Sequence, residues 1–230
     1  MQPERPTVAT HAGTVATGWL EIEDGIELDR YKDRSHGASV PLVIKLGVAP
    51  RVQFSLFVPL LHPPGQNTTG VGDLSAAIKW RLAEHAPVVG DFAILPSIKF
   101  PTAQASLTTG TTDLGLLLIS SHDFGAVAMD LNAGMTRRSH DTKVPRYASL
   151  WTASFGGSAI GHVGWVGEVY GDPATSGPAG SRAIVAALAG PTLEMRRWLV
   201  LDAGVIVPLR GPQPRAVYSG FVYNVGRVWK

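Results

Sequence analysis

The sequence predicts an all-β protein, a transmembrane up-and-down antiparallel β-barrel of about twelve strands. Three observations carry that prediction. Apolar and polar residues alternate in strand after strand from about Trp19 to the end. In Asp73–Leu82, Leu74, Ala76, Ile78, Trp80 and Leu82 fall on one face, and Asp73, Ser75, Ala77, Lys79 and Arg81 on the other. This is a period of two, the signature of a strand. Charged residues are only 17% of the 230, against about 25% in ordinary soluble domains, and no apolar run approaches the roughly 20 residues of a membrane helix. Finally, short and long connections alternate along the chain.

Residues 1–17 are polar and contain proline, and are expected to form a flexible N-terminal arm. Residues 18–230 read as one barrel domain. Strands are expected at 18–32, 38–48, 50–61, 71–83, 90–102, 112–121, 125–137, 146–156, 162–171, 182–194, 197–209 and 216–229. Their even number suits a single-chain bacterial barrel. Val40, Leu42, Ile44 and Leu46 oppose Lys45; Val52, Phe54, Leu56 and Val58 oppose Gln53 and Ser55; Val127, Met129, Leu131 and Met135 oppose Asp130 and Asn132. No credible amphipathic helix, internal domain boundary or longer repeat interrupts this series.

Even-numbered connections are mostly compact, as at Val48–Pro50 and His122–Gly125. Most odd-numbered ones, such as His62–Gly70, Ala103–Thr111, Arg138–Arg146 and Asp172–Ser181, are longer and rich in Gly, Pro, Ser and Thr. All long loops then gather at one end, the asymmetry of outer-membrane barrels.

Packing decides which face looks inward. Eight strands already enclose a space that side chains just fill, and the apolar set here is largely Ala, Val and Leu, too small for a wider barrel. The apolar face is therefore expected outside, and the charged face is expected to line the lumen. The luminal set is Glu21, Glu23, Glu27, Asp29, Lys45, Lys79, Arg81, Lys99, Asp113, Asp130, Asn132, Glu168, Asp202 and Asn224. The first-strand glutamates should pair with Lys79, Arg81 and Lys99. Aromatic residues such as Trp19, Trp80, Phe100, Tyr147, Trp151, Trp198 and Trp229 lie mostly near strand ends, as interface belts do. Pro96, Pro191 and Asp24 fit poorly. The prolines call for bulges or shifted boundaries, and Asp24, on the apolar phase, for a bulge near Gly25.

No enzymatic motif survives scrutiny. Ser121-His122-Asp123 and Ser139-His140-Asp141 place neighbours on opposite faces, whereas a triad must converge. Gly156–Ile160 lacks the last glycine of a nucleophile elbow. Glu21 and Glu23 share a face and read as ion-pair partners. The seven histidines are scattered, which argues against a metal site, and the chain has no cysteine. A net charge of +2 without a basic run gives no case for nucleic acid. No cofactor is implied. Met1–Pro6 has no apolar leader core, and Met1 is expected to stand in place of a cleaved leader.

Trp19-x-Glu21, Val71-Gly72-Asp73 with Lys79 on the same strand, Pro101-Thr102, and Asp130-Leu131-Asn132-x-Gly134 occur in an order that resembles the outer-membrane "MetA-pathway of phenol degradation" transporter-like family. The resemblance runs from about residue 18 to the end. It implies a barrel in the outer membrane of a Gram-negative bacterium that takes up aromatic or other small hydrophobic compounds. The expected function is passive passage of a small molecule through a charged lumen. The alternatives are a non-conducting structural or lipid-binding barrel and a soluble barrel holding a lipophilic ligand. An outer-membrane lipid hydrolase would need Ser and His side by side on the lipid face, and no such pair is evident on neighbouring strands. Arg137, Arg138, Arg146, Arg182 and Arg210, with Arg34, Lys143 and Arg215, fall in or beside the long connections. They are expected to form a basic rim facing lipopolysaccharide phosphates, which Arg engages with paired donors.

Overall fold

The alternating segments pair with their sequence neighbours because each is joined to the next by a turn or loop and each leaves its N–H and C=O groups unpaired on both edges. A computed structural model describes residues 3–140, 146–172 and 184–229. Its strands are β1 (Trp19–Arg30), β2 (His36–Ala49), β3 (Val52–His62), β4 (Gly70–Val71), β5 (Leu74–Ala86), β6 (Gly90–Phe100), β7 (Asp113–Asp123), β8 (Ala128–Arg138), β9 (Tyr147–Ile160), β10 (Val163–Asp172), β11 (Ile184–Arg196), β12 (Leu199–Arg210) and β13 (Arg215–Arg227). Twelve are long. β4 is a two-residue strand folded back on Leu60 and Leu61 of β3. Every pairing among named strands is antiparallel, and β1 closes on β13 from Trp19↔Arg227 to Arg30↔Arg215. The result is a closed barrel without a sheet edge.

Turns at 50–51 and 161–162 bear out the compact connections. The first places Arg51 at φ 65° and the second Gly161 at φ 59°, the left-handed conformation a tight reversal needs. Chain entry and exit share this short-turn end, because Trp19 opposes Arg227.

Ile78, Trp80 and Leu82 are 49%, 52% and 42% exposed, while Lys79 between them is wholly buried. The apolar face thus looks outward. Trp198 packs edge-on against Tyr223 at 5.5 Å near the short-turn end. The inner wall is less uniformly charged than expected. Across β10–β13, Tyr170, Ala186, Leu188, Ile206, Ala216 and Tyr218 form an apolar cluster on the inner side. β11 begins with an unbroken run, Ile184–Ala189, that puts apolar residues on both faces.

The prolines need no bulge. Pro96 pairs with Leu116 on β7, and on the other side the β5–β6 ladder omits Ile78 and Lys79 without changing register. Pro191 opposes Trp165, and the β11–β12 ladder likewise skips Gly190–Pro191. Each missing N–H falls in a local gap in the ladder. Nor does a bulge rescue Asp24. The β1–β13 register runs straight through Asp24↔Phe221 and Gly25↔Gly220, the one shift lying at Leu20/Glu21. Asp24 stays on the outer phase, and its carboxylate accepts the Gly25 N–H at 2.8 Å.

The N-terminal segment corrects the expectation of a free arm. Residues 3–17 run inside the barrel, and Thr17 bridges Gly47 in parallel as the chain turns into β1. A Cβ on Gly47 would strike the backbone of Val15 and Ala16, so only glycine lets the segment lie this close to β2.

Candidate functional site

An irregular segment inside a barrel has no ladder to join, so its buried N–H groups need acceptors from the wall. The inner faces of five strands supply them. Glu4 N–H donates to Glu23 of β1 at 2.8 Å. Val8 and Ala9 donate to the Glu168 carboxylate of β10 at 2.8 and 2.7 Å. Thr10 N–H donates to the Asn132 Oδ1 of β8 at 2.8 Å, and Asn132 Nδ2 returns a bond to Thr10 C=O at 2.9 Å. Ala12 N–H donates to Ser121 Oγ of β7 at 2.8 Å, and the Ser121 hydroxyl donates to Asp130 at 2.5 Å. Val15 N–H donates to Gln53 Oε1 of β3 at 2.9 Å. The segment therefore winds once around the inner wall.

Two charged side chains of the segment anchor it. Arg5 forms a two-pronged pair with Asp202 of β12, Nη2 to Oδ1 at 3.1 Å and Nε to Oδ2 at 3.2 Å. Gly25 and Gly220, opposed across β1 and β13, form its floor, since a Cβ on either would run into the guanidinium. Glu4 contacts Lys79, Thr10 and, at 3.8 Å, Lys45. Lys79 also donates to the backbone carbonyls of His11 and Gly13 at 2.8 and 3.2 Å.

Sequence reasoning expected one ion-pair network of Glu21, Glu23, Glu27, Lys79, Arg81 and Lys99, and the structure divides its cations, with Lys45, among three separate groups. Lys45, fully buried, meets Glu21 at 2.7 Å and Glu23 at 2.5 Å. Lys79 joins this group through Glu4 rather than through the first-strand glutamates. Arg81 sits at the short-turn end with Glu84 at 2.7 Å and Asp91 at 3.8 Å. Lys99 belongs to the long-loop end, with Asp73 at 3.0 Å and Asp113 at 3.6 Å. Burial pushes the Asp73 carboxyl up, but hydrogen bonds from Thr108, Thr109, Lys99 and Ala103 outweigh it and hold it below the usual range. Asn224 faces inward opposite Glu21. Glu27 and Asp29 continue the inner face of β1, and their carboxyl groups contact each other.

One cavity lies against the segment, and a second lies apart from it toward the long-loop end. The first, of about 360 Å³, lies between Glu4–Thr10 and a wall that includes Pro41, Phe57, Leu95, Leu117 and Ile206. The other, of about 430 Å³, opens toward the long loops between Asp29, Tyr31, Leu61, Pro64, Lys99 and Leu107. Burial, reinforced by Asp29, Glu27 and Asp33, pushes the Tyr31 hydroxyl up to about 12, so it stays protonated.

The basic rim is redrawn. Arg138 is not on it: it is 5% exposed and opposes Asp113 in register, on the inner face of β8. Arg137 occupies the outer phase of the same strand. Arg146 turns back to the Arg138 and Ser139 carbonyls at 3.4 Å. Arg182, Lys143 and Asp141 lie outside the described residues. Arg210 gathers instead with Arg30, Lys32 and Arg215 around a cleft of about 650 Å³. Arg30 and Lys32, at the end of a strand, carried no sequence signal of that grouping.

What the sequence reading missed was the occupant of the lumen. Its luminal set held eight acids against four bases, and that surplus of buried acceptors signalled something else to donate hydrogen bonds to them. Ser120 and His122, two apart on β7, do meet, with Oγ and Nε2 at 3.0 Å. The Ser120 hydroxyl is committed to Val89 C=O at 2.7 Å, and no carboxylate is hydrogen-bonded to His122 among the described residues. No group of three or more His, Asp or Glu able to hold a metal occurs there either.

Closed strand order, an apolar outer belt and a polar inner wall define the class as a β-barrel of the outer-membrane type. Solved structures agree on the fold. An outer membrane channel from Pseudomonas putida F1 superposes with a TM-score of 0.65 at 11% identity, covering 92% of this chain and 97% of that one. The KdgM porin, solved in complex with disordered oligogalacturonate, gives 0.60 at 11% identity, with coverage of 88% and 98%. The translocator domain of the autotransporter NalP from Neisseria meningitidis gives 0.54 at 10% identity, covering 91% and 89%. No family model matches the chain, and no curated protein sequence does.

Proposed function

We propose that this protein is an outer-membrane channel through which a small solute diffuses when residues 3–17 shift from their place in the lumen. The observation that carries the reading is how the segment is held. Its attachments are hydrogen bonds and ion pairs to inward-facing polar side chains, and water can replace each of these as the segment leaves. An apolar plug would offer no such exchange. The outer belt supports a membrane location, and likeness to channel and porin barrels supports transport rather than catalysis. The resemblance to the phenol-degradation transporter-like family, with Phe57, Leu95, Leu117 and Ile206 beside the segment, favours an aromatic or other small hydrophobic solute. The rim arginines would face lipopolysaccharide.

Conductance in planar bilayers tests this. The full chain should show brief or small openings, and Arg5→Ala should lengthen or enlarge them. A second reading, a barrel that never conducts, draws on the complete burial of Lys45, Lys79 and Glu21 beneath the segment. Silence from both the parent and Arg5→Ala would favour it.

A further inference from the structure

We propose that the cleft between Arg30, Lys32, Arg210 and Arg215 binds the two phosphates of a bis-phosphorylated glycolipid, with the acyl chains lying on the apolar strip beneath. The inference rests on the outer-membrane reading and gives its lipid partner a definite site. Arg30 and Arg215 oppose each other in register on β1 and β13. Like charges in that position repel and destabilise the strand pair unless an anion lies between them. Arg210 and Lys32 complete the cleft, whose volume is about 650 Å³. Among the described residues none of the four forms an ion pair with a carboxylate. Of the two acids adjacent in sequence, Asp29 is on the inner face of β1 in contact with Glu27, and Asp33 is occupied by Ser35, whose N–H and hydroxyl donate to it at 2.9 and 2.6 Å. Four cations match two phosphomonoesters, each of which carries about 1.5–2 negative charges near neutrality. Arginine supplies the paired donors that phosphate oxygens accept.

The neighbouring surface commits the ligand to a lipid. Arg30 and Arg215 lie on the outer phase of their strands, as Leu28 and Val217 do. Those two oppose each other one step down the barrel and are 47% and 52% exposed. Val207 and Leu209 on β12, 43% and 59% exposed, extend the strip. Phosphates on the cations and hydrocarbon on the strip use both features, whereas a soluble anion uses only one.

The test titrates detergent-solubilised full-length protein with bis-phosphorylated lipid A, with the same lipid dephosphorylated, and with inorganic phosphate. The phosphorylated lipid should bind at least about tenfold more tightly than the dephosphorylated one, since several charge-assisted hydrogen bonds separate them. Arg30→Ala with Arg215→Ala should remove that preference while leaving heat-modifiable gel mobility, the mark of a folded barrel, intact. Equal binding of the two lipids, or an unaffected double variant, overturns the proposal. So does inorganic phosphate competing at comparable concentration, which marks a general anion site. Cell fractionation separates the two failures. Protein found in the soluble fraction defeats the outer-membrane reading, and protein found in the outer membrane without a phosphate preference defeats this site alone.

Discussion

Arg5 and Asp202, 197 positions apart in the chain, meet inside the barrel through two hydrogen bonds of 3.1 and 3.2 Å. The pair is nearly dry, with side-chain exposures of 12% and 1%. It fixes the start of the luminal segment to β12, two strands around the barrel from β1, into which the segment runs.

Removing one partner of a buried pair typically costs about 3–5 kcal/mol, but the segment can swing out and let water reach Asp202. Arg5→Ala should therefore loosen the segment more than it destabilises the barrel. Bilayer conductance should rise severalfold while the barrel melting temperature moves little. Unchanged conductance with a lowered melting temperature would mean that Arg5 is only structural.

Lys45 has no such escape, because it belongs to the wall. Lys45→Ala leaves Glu21 and Glu23 buried beside each other without a cation, a loss of about 3–5 kcal/mol. A clear drop in the temperature of heat-modified gel mobility should report it. Lys79→Ala should cost less, since its partner Glu4 leaves with the segment, and it should raise conductance. Equal effects of the two substitutions would refute the division between wall and plug.

Gly25→Val and Gly220→Val place a side chain where the Arg5 guanidinium lies. A Cβ at either site also comes within 2.5 Å of a backbone carbonyl, that of Ser219 or Asp24, so β1 and β13 must give locally, and heat-modifiable gel mobility should first show that the barrel has assembled. The segment should be displaced, and a cysteine at Thr7 should become reactive toward a maleimide. Failure of that cysteine to react in either variant would show that the Arg5 socket does not hold the segment.

Asp73 makes the long-loop end acid-sensitive. Its folded carboxyl titrates below the ordinary value of 3.8, so its contribution is present in full above that value and is lost as pH falls through the lower folded one. Loop 101–112, held through Thr109 and Ala103, should become open to pepsin only in that acidic window. Asp73→Asn should open it at higher pH. Cleavage independent of this substitution would contradict the assignment.

Topology is testable with single cysteines in a chain that has none. Ser139→Cys, at the long-loop end, should label in intact cells with an impermeant reagent, and Val88→Cys, on a short turn, should not. The reverse pattern would invert the barrel and remove the lipid-phosphate cleft from the outer leaflet.

Period-two alternation by itself determined the strands, their number and the outward turn of the apolar face. A side chain's face depends only on its position in the strand, and a wide barrel cannot be filled by Ala, Val and Leu. Pro96, Pro191 and Asp24 misled because their effect depends on the neighbouring strand, which local sequence does not specify. Tertiary structure alone decided the fate of residues 3–17. That segment has no periodicity to read, and its partners Glu23, Gln53, Ser121, Asn132, Glu168 and Asp202 converge only when β1 meets β13 and the barrel closes. The same closure drew Arg138 inward to Asp113 and brought Arg30, Lys32, Arg210 and Arg215 together from the two ends of the chain.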